Sequence, residues 1–449
     1  MTLAHTSSPP GSWLASIRHA LSQPAILIVL TVVLGSHTAA QFEWVQRAFP
    51  LIQMGQLEFH RLLWQLSPRA VTPKWVRAVE IDDKAHARLG EPTNRAYLAK
   101  LISNAVVGNA AAIVLDIKLL SPPDMRAGED EAIRTAENEV FIEAVRHAAG
   151  AGLPVILASW LEPAETGGFV TRPNVYDGRD LPLPTRDGGC IGRTVAPAHE
   201  SRRTYPPTCV RIGNINLPLD KRQIPLVTDT QDLFGRSESL ALATVQAFED
   251  SFDRVPRTTS KPVIGSAIAG RDFVFGSFIE ESDFQKLPIE ALAGGTDEAL
   301  RQARGRILIV GGTWREDLGH GDPVDTFSTP VGRMRGMYLH ANYVEALLDD
   351  RYSRQVPLWM ALLFDFLVGL WLYIRFHAAR TSAARLRLLV IPGFLLLASY
   401  VVFANLNLYL DFILPLGACF VHLAVEYVRD KAPGDVPPQH VAASREAAG

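Results

Sequence analysis

The sequence predicts an α/β domain with a mostly parallel sheet and an irregular middle insertion, flanked by one transmembrane helix before it and three after it. Two observations predict this class. Apolar strands alternate with amphipathic helices between 76 and 158, as in βαβ units. Apolar runs near both ends approach the ~20 residues that span a bilayer. The expected organisation is a cytoplasmic N-terminus (1–23), an anchor (24–40), a membrane-proximal amphipathic helix (41–70), an external domain (71–354), three membrane helices (356–428) and a disordered cytoplasmic tail (429–449).

The first apolar segment has two interpretations. Its strongly apolar core, 24–34, is short for a membrane span, and Thr38, Ala39 and Ala40 resemble the small-residue site at which a signal peptide is cleaved. An uncleaved anchor is the alternative, which we favour because 42–66 can continue it as an amphipathic helix. Both interpretations place the large domain outside the cytoplasm.

Positive charges set the predicted orientation, because cytoplasmic loops retain Lys and Arg. The loop between the predicted helices 356–374 and 388–404 is rich in arginine, whereas 405–408 carries no positive charge. Basic residues also follow the last predicted helix, 409–425. The pattern predicts a multi-pass protein of the inner (plasma) membrane with a large extracytoplasmic domain and a cytoplasmic C-terminus.

Composition narrows the partners and the chemistry. The formal net charge is -3, and no block of like charges is present, so nucleic acid is not an expected partner, whereas the lipid bilayer is. Cys190 and Cys209 lie in the external region and could form a disulfide worth roughly 3 kcal/mol; two unpaired thiols are the alternative. Cysteine and histidine spacing indicates no metal site, and no cofactor is expected.

The first half of the domain predicts parallel strands. Alternating residues from Val76 form a strand that ends in a loop at Asp82 and Asp83. Thr93 can cap a helix over 96–107, and a buried strand covers 112–116. A further helix over 130–149 and strand over 154–158 repeat the pattern, and strands joined by helices run parallel.

The second half is less regular. Residues 162–236 are dense in Pro and Gly and predict an irregular excursion, and 262–279 predicts antiparallel strand. A buried strand over 305–313 runs into a glycine turn, and a helix over 337–348 follows. The segment 349–357, between this helix and the membrane runs, is the expected moving part.

The order of motifs in this domain resembles the CHASE domain of the second class. The motifs that carry the resemblance are Ile81-Asp82-Asp83, Leu89-Gly90, Asn94-Arg95, Leu115-Asp116, Pro122-Pro123, Ile309 to Thr313, Asp317, Thr329-Pro330, Gly332, Gly336 and His340-Ala341-Asn342. One helix before the domain and three after it are also similar to the family's arrangement. Glu91 and Pro92 stand where the family often has a Trp-Pro pair.

The resemblance implies an extracellular sensory module that binds an unknown small molecule or protein. Family members usually continue into a kinase or cyclase, whereas this chain continues into a short Pro- and Ala-rich tail. A separate cytoplasmic or membrane output protein is therefore expected, and a homodimer is left open. A structural protein that docks an envelope partner is the alternative. A periplasmic α/β enzyme is a lesser alternative, because neither a Gly-x-Ser-x-Gly elbow nor a His-Glu-x-x-His motif occurs.

Asp82, Asp83 and Asp116 are the first ligand-binding candidates. They follow strands that we expect to be neighbours, and ligands of open α/β sheets bind at the carboxyl ends of strands. These carboxylates could bind a polar or cationic ligand, or a hard cation such as Ca²⁺. Helix caps and bonds to loop N–H groups are the alternative.

Five further residues complete the candidates: Arg95, Thr313, Asp317, His340 and Asn342. Arg95 could bind an anion or form an internal ion pair. Thr313 follows glycines that could face an anion or could meet a backbone requirement. His340 and Asn342 are expected to begin a helix facing the same edge, and His340 is either a buried histidine or a pH-sensitive ligand contact. Asp317 is a ligand-binding candidate because it belongs to the motifs that carry the resemblance.

In the predicted membrane part, Asp365 lies mid-way along its helix, where an isolated charge costs several kcal/mol. Ser399, in the next helix, could hydrogen-bond to it. Either the pair joins the helices, or it couples a signal or proton through the bundle. Four helices without paired interruptions argue against a transporter.

Overall fold

A computed structural model describes part of the chain, and every structural statement below concerns that part. The described residues are 50–66, 72–90, 93–117, 119, 131–163, 169–172, 183–184, 190–191, 210–218, 222–230, 236–252, 271–317, 320–323, 325–357, 359–364, 366–367, 370, 390–406 and 408–409. The chain divides into two compact units, one formed by His60–Gln355 and the other by Met1–Phe59 with Val356–Gly449.

The described strands, in chain order, are β1 (Val76–Ile81), β2 (Ala112–Asp116), β3 (Val155–Pro163), β4 (Phe169–Arg172), β5 (Leu183–Pro184), β6 (Cys190–Ile191), β7 (Arg211–Asn214), β8 (Gln223–Pro225), β9 (Val227–Asp229), β10 (Arg236–Glu238), β11 (Phe273–Gly276), β12 (Lys286–Pro288), β13 (Ile307–Gly312), β14 (Arg315–Asp317), β15 (His320–Pro323), β16 (Thr326–Thr329), β17 (Gly332–Arg335), β18 (Tyr352–Gln355) and β19 (Leu408–Tyr409). The described helices are α1 (Pro50–Gln65), α2 (Asp83–Leu89), α3 (Arg95–Val107), α4 (Glu131–Gly150), α5 (Leu240–Phe252), a 3-10 turn (Glu281–Asp283), α6 (Ile289–Ala293), α7 (Asp297–Ala303), α8 (Gly336–Leu348) and α9 (Val390–Leu406).

A parallel sheet forms the centre of the larger unit, as the sequence predicts. Its strand order is β12-β1-β13-β2-β3, with β7 parallel to β3 and β4 antiparallel to it. One expectation is wrong: β1 and β2 are not neighbours, because β13 pairs with both and separates them. The order of strands depends on long-range packing, which the spacing of β1, α3 and β2 along the chain does not specify.

Alternating side chains of the sheet enter two separate hydrophobic layers. Val76, Ile309 and Val114 pack on one face with residues of α5 and α8. Ile81 and Leu115 pack on the other face with residues of α3, α4, α6 and α7. The unbroken apolar strands predict this arrangement, because a parallel sheet is covered on both faces.

Helix ends agree with the sequence in part. Gly108 ends α3, and Asn109 follows with a φ of 52°. Asn94, rather than the predicted Thr93, caps this helix, since its side chain accepts a hydrogen bond from the Tyr97 N–H at 2.9 Å. The predicted loop at Asp82 and Asp83 is also shorter than expected, because α2 begins at Asp83.

The middle of the domain is more regular than predicted. Residues 162–236 contain several short strands, and β7 extends the central sheet. Gly213 permits this packing, because a Cβ there would lie 2.5 Å from the Cα of Leu240 in α5. Within the predicted antiparallel segment 262–279, β11 is confirmed and pairs antiparallel with β8 and β18, whereas 262–270 lies outside the described residues.

In the described residues, no helix has both the length and the apolar character needed to cross a membrane. The helix α9 has 17 residues and falls on the predicted span 388–404. The predicted spans therefore stay predictions. Most of the predicted segments 24–40 and 409–425 lies outside the described residues.

Candidate functional site

The carboxyl ends of β1, β13 and β2 meet at a point where the chain leaves the sheet in opposite directions. After β13 the chain reaches α8 on one face, whereas after β1 and β2 it reaches α3 and α4 on the other. Ligands of open α/β sheets bind in the crevice that such a reversal creates. We call the edge formed by Asp82, Gly311, Gly312, Thr313 and Asp116 the switch-point crevice.

Two glycines allow side chains to approach the end of β13 closely. Gly311 lies between Glu80 and Asp116 in the register of the three strands. A Cβ at Gly311 would lie 2.8 Å from the Met337 side chain, and one at Gly312 would collide with the Trp314 ring. Close packing is therefore the backbone requirement that these glycines meet.

Asp116 is the crevice residue most available to a ligand. It is partly buried, and the described structure gives its carboxyl group no hydrogen bond and no ion pair. Burial raises the pKa of Asp116 to about 7. Near neutral pH this group can therefore accept or donate a hydrogen bond, and a perturbed acid in a crevice is a candidate for function.

The other two acids serve the chain itself. Asp82 accepts a hydrogen bond from the Ala85 N–H at 2.9 Å and so caps α2. Asp83 accepts one from the Arg315 N–H at 2.7 Å, which fixes the segment after β13. The alternative of helix cap and loop support therefore describes both residues.

Thr313 lies at the crevice, whereas Asp317 lies in the hairpin that follows it. The Thr313 N–H donates to the Ile81 carbonyl at 2.9 Å, so Thr313 continues the ladder between β13 and β1 at the crevice. Asp317 lies in β14, where its backbone is in register with that of His320 in β15.

Arg95, His340 and Asn342 are buried residues outside the set that defines the switch-point crevice. Arg95 is 3% exposed at the start of α3 and has interaction partners. The expectation that His340 and Asn342 begin a helix is wrong, because α8 begins at Gly336. Asn342 is fully buried, and its amide bonds to the Ile279 N–H at 2.5 Å and the Ile279 carbonyl at 3.1 Å. The amide therefore fixes the segment after β11 to α8.

A cluster of charges beside the crevice was missed by the sequence reasoning. Glu80 accepts hydrogen bonds from the Tyr338 hydroxyl at 2.7 Å and from Lys286 Nζ at 3.1 Å. Arg335 forms an ion pair with Glu281 and donates a hydrogen bond to the Thr313 carbonyl at 3.1 Å. Burial and the bond to Glu80 raise the pKa of Tyr338, so its hydroxyl remains a donor. The cluster joins the first turn of α8 to the carboxyl end of β1.

A second buried cluster lies at the opposite end of β1. The fully buried Glu345 carboxylate accepts hydrogen bonds from the N–H groups of Trp75 and Val76, both at 2.7 Å. Asp349 accepts hydrogen bonds from Trp75 Nε1 at 2.8 Å and Arg351 Nε at 3.3 Å. The sequence signal for Glu345 is a single acid in the otherwise uncharged helix α8.

The family comparison agrees with this architecture. The family model described as the CHASE2 domain matches residues 26–377. The chain belongs to the CHASE2 family. No curated protein and no solved structure gives a match. CHASE2 domains are extracellular sensory domains, so the resemblance predicted from the sequence is confirmed, and a sensory role follows for this domain.

The remaining predictions are a disulfide, an intramembrane pair and the absence of a metal site. Cys190 lies in β6, but Cys209 lies outside the described residues, so their disulfide stays a prediction. Asp365 also lies outside them, and Ser399 is buried in α9 without a hydrogen-bond partner in the described structure. No described group of three acids, histidines or cysteines is arranged to hold a metal ion.

Proposed function

We propose that this CHASE2 protein is a membrane-anchored extracytoplasmic sensor that binds a polar or cationic ligand at the switch-point crevice. In this proposal, binding shifts α8, and the shift reaches the segment 349–355, which we call the exit segment. The predicted membrane helices and a separate output protein then respond. The family supports the sensory role, and the Asp116 carboxyl group, which has no hydrogen bond or ion pair among the described residues, supports the place and chemistry of the ligand.

The observation that carries the proposal is that α8 contacts both ends of β1. Tyr338, in its first turn, bonds to Glu80 at the carboxyl end, and Glu345 bonds to Val76 at the amino end. Helix and strand run in opposite directions along the same face. Because a packed helix moves as a rigid element, a displacement at the crevice is transmitted to the other end.

The exit segment is joined to the end of α8 and to β11. The Arg351 N–H donates to the Ala346 carbonyl at 2.8 Å, and the Arg351 carbonyl accepts from the Ser277 N–H at 3.0 Å. Asp349 holds Arg351, and Glu345 lies 4.0 Å from its guanidinium. A change at the end of α8 therefore alters contacts of the exit segment, on a scale of about 1–3 kcal/mol for typical allosteric coupling.

Thermal unfolding of the purified full chain tests the ligand site. The probes are ethanolamine, spermidine and glucose, which carry the amine and hydroxyl donors that Asp116 could bind. A probe that raises the melting temperature of the wild type is expected to lose its effect in Asp116→Asn and to keep it in Glu139→Gln, which changes an exposed acid of α4. A probe effect that survives in Asp116→Asn would contradict the crevice as the site. A protein that co-purifies, with no probe effect, would favour the docking alternative.

A further inference from the structure

A cleft separate from the crevice lies on the α3 face of the domain. It has a volume of about 520 Å³ and is bounded by the end of α2, the first turns of α3, and α6. Pockets for small molecules typically measure roughly 300–1,000 Å³. The cleft is therefore large enough for a small organic ligand.

Hydrogen bonds hold the walls of the cleft in place. Asn104 Nδ2 donates to the carbonyls of Leu292 and Ala293, both at 2.9 Å, which fixes the end of α6 against α3. Asn94 caps α3 and donates from Nδ2 to Glu137 Oε1 at 2.7 Å. These side chain contacts make the cleft a preformed site, which lowers the entropy cost of binding.

The charged side chains described at the cleft pair with one another and leave one cation, Lys100, available to a ligand. Among the described residues that line the cleft, Glu290 is the acid, and Arg88 pairs with this carboxylate at 2.7 Å. Glu137, behind Asn94, is occupied by that amide. Lys100 is exposed at the cleft and has no ion-pair or hydrogen-bond partner in the described residues.

Tyr97 provides a second donor beside Lys100. The two residues lie three positions apart on α3 and both line the cleft, so they share a face of the helix. Burial, followed by the negative charge of Glu290, raises the pKa of Tyr97. Its hydroxyl therefore remains protonated at neutral pH. The first turn of α3 contains no acid, and the positive end of its dipole also favours an anion.

We propose that this cleft binds a small organic carboxylate. The carboxylate oxygens accept hydrogen bonds from Lys100 Nζ and the Tyr97 hydroxyl, while Leu89 and Ala293 contact the apolar part of the ligand. This site is independent of the sensor proposal, because it lies on the α3 face and uses no residue of the switch-point crevice.

Calorimetric titration of the purified full chain with sodium benzoate tests the proposal. Saturable binding is expected, weakened about tenfold by Lys100→Gln and about threefold to tenfold by Tyr97→Phe. Arg304→Gln is the matched control, since it removes an exposed cation that does not line the cleft. It is expected to leave the affinity unchanged, and circular dichroism checks that each variant is folded.

Two comparison probes make the result decisive. Benzylamine has the same ring with the opposite charge and is expected not to bind. Inorganic phosphate lacks the apolar part and is expected to bind more weakly than benzoate. Absence of saturable benzoate binding, or an equal loss in Arg304→Gln, would overturn the site. Phosphate binding as tight as benzoate binding would overturn the carboxylate assignment.

Discussion

Glu345, in the last part of α8, accepts a hydrogen bond at 2.7 Å from the N–H of Val76, the first residue of β1. The same carboxylate accepts bonds from Lys74 and Trp75. Burial raises the pKa of Glu345, whereas the three N–H donors and Arg351 oppose the rise. The carboxylate thus connects the residues that enter the domain with the helix that leads out of it.

Replacing Glu345 by Gln should destabilise the domain by about 1–3 kcal/mol, because the amide keeps the shape but supplies one acceptor atom without the charge. Urea unfolding of the full chain measures the loss. Glu139→Gln, on the exposed surface of α4, is the control and should unfold with the wild-type midpoint. Equal midpoints for the two variants would mean that Glu345 does not hold the start of β1.

Asp116 should make stability depend on pH. Its folded pKa, about 7, exceeds the ordinary value of an aspartate, so folding favours the protonated form. Stability is therefore lost as the pH rises from about 4 to about 7. Asp116→Asn cannot ionise, and its stability relative to the wild type should increase over this window by up to about 4 kcal/mol. Parallel curves for the two proteins between pH 4 and pH 8, measured as unfolding free energies, would contradict this assignment.

The Tyr338 hydroxyl should contribute to the contact between α8 and β1. Tyr338→Phe removes a 2.7 Å hydrogen bond to the Glu80 carboxylate and should cost about 1.5–3 kcal/mol in unfolding free energy. In a Glu80→Gln background the same change should cost clearly less. An identical cost in both backgrounds would show that the pair is not coupled.

Gly311 should tolerate no side chain while Met337 is present. Gly311→Ala places a methyl group 2.8 Å from the Met337 side chain and should cost about 1–3 kcal/mol. Met337→Ala in the same chain removes the Cγ and Sδ atoms at 2.8 and 3.0 Å but keeps the Cβ at 2.9 Å, so it relieves part of the clash. The double variant should therefore lose less than the sum of the two single changes, and an additive loss would contradict the close approach.

The sequence predicts the elements of the domain better than their arrangement. Apolar periodicity predicts β1, β2, β13, α3, α4 and α8 to within a few residues, because these elements bury regular faces. It does not predict that β13 separates β1 from β2, since that depends on contacts between residues 195 to 231 positions apart. The short strand β7 was missed for the same reason, because its pairing with β3 spans an irregular stretch.

In the candidate site, too, the sequence predicts the positions of single residues better than the contacts between them. Asp116 could be placed at a carboxyl edge from its strand alone, but its lack of a partner among the described residues depends on the whole fold. The bond between Tyr338 and Glu80 joins residues separated by 258 positions, so no local pattern indicates it. Asn342 was a plausible ligand contact by motif, yet packing against Ile279 uses its amide.

Amide hydrogen exchange of the full chain tests most directly whether α8 couples the crevice to the exit segment. Tyr338→Phe changes the crevice end of the helix, and exchange is compared at the exit segment and at α3, which serves as the reference for global unfolding. We predict that exchange at 349–355 accelerates more than exchange at α3. Acceleration confined to the first turn of α8, or equal in both segments, would contradict the coupling.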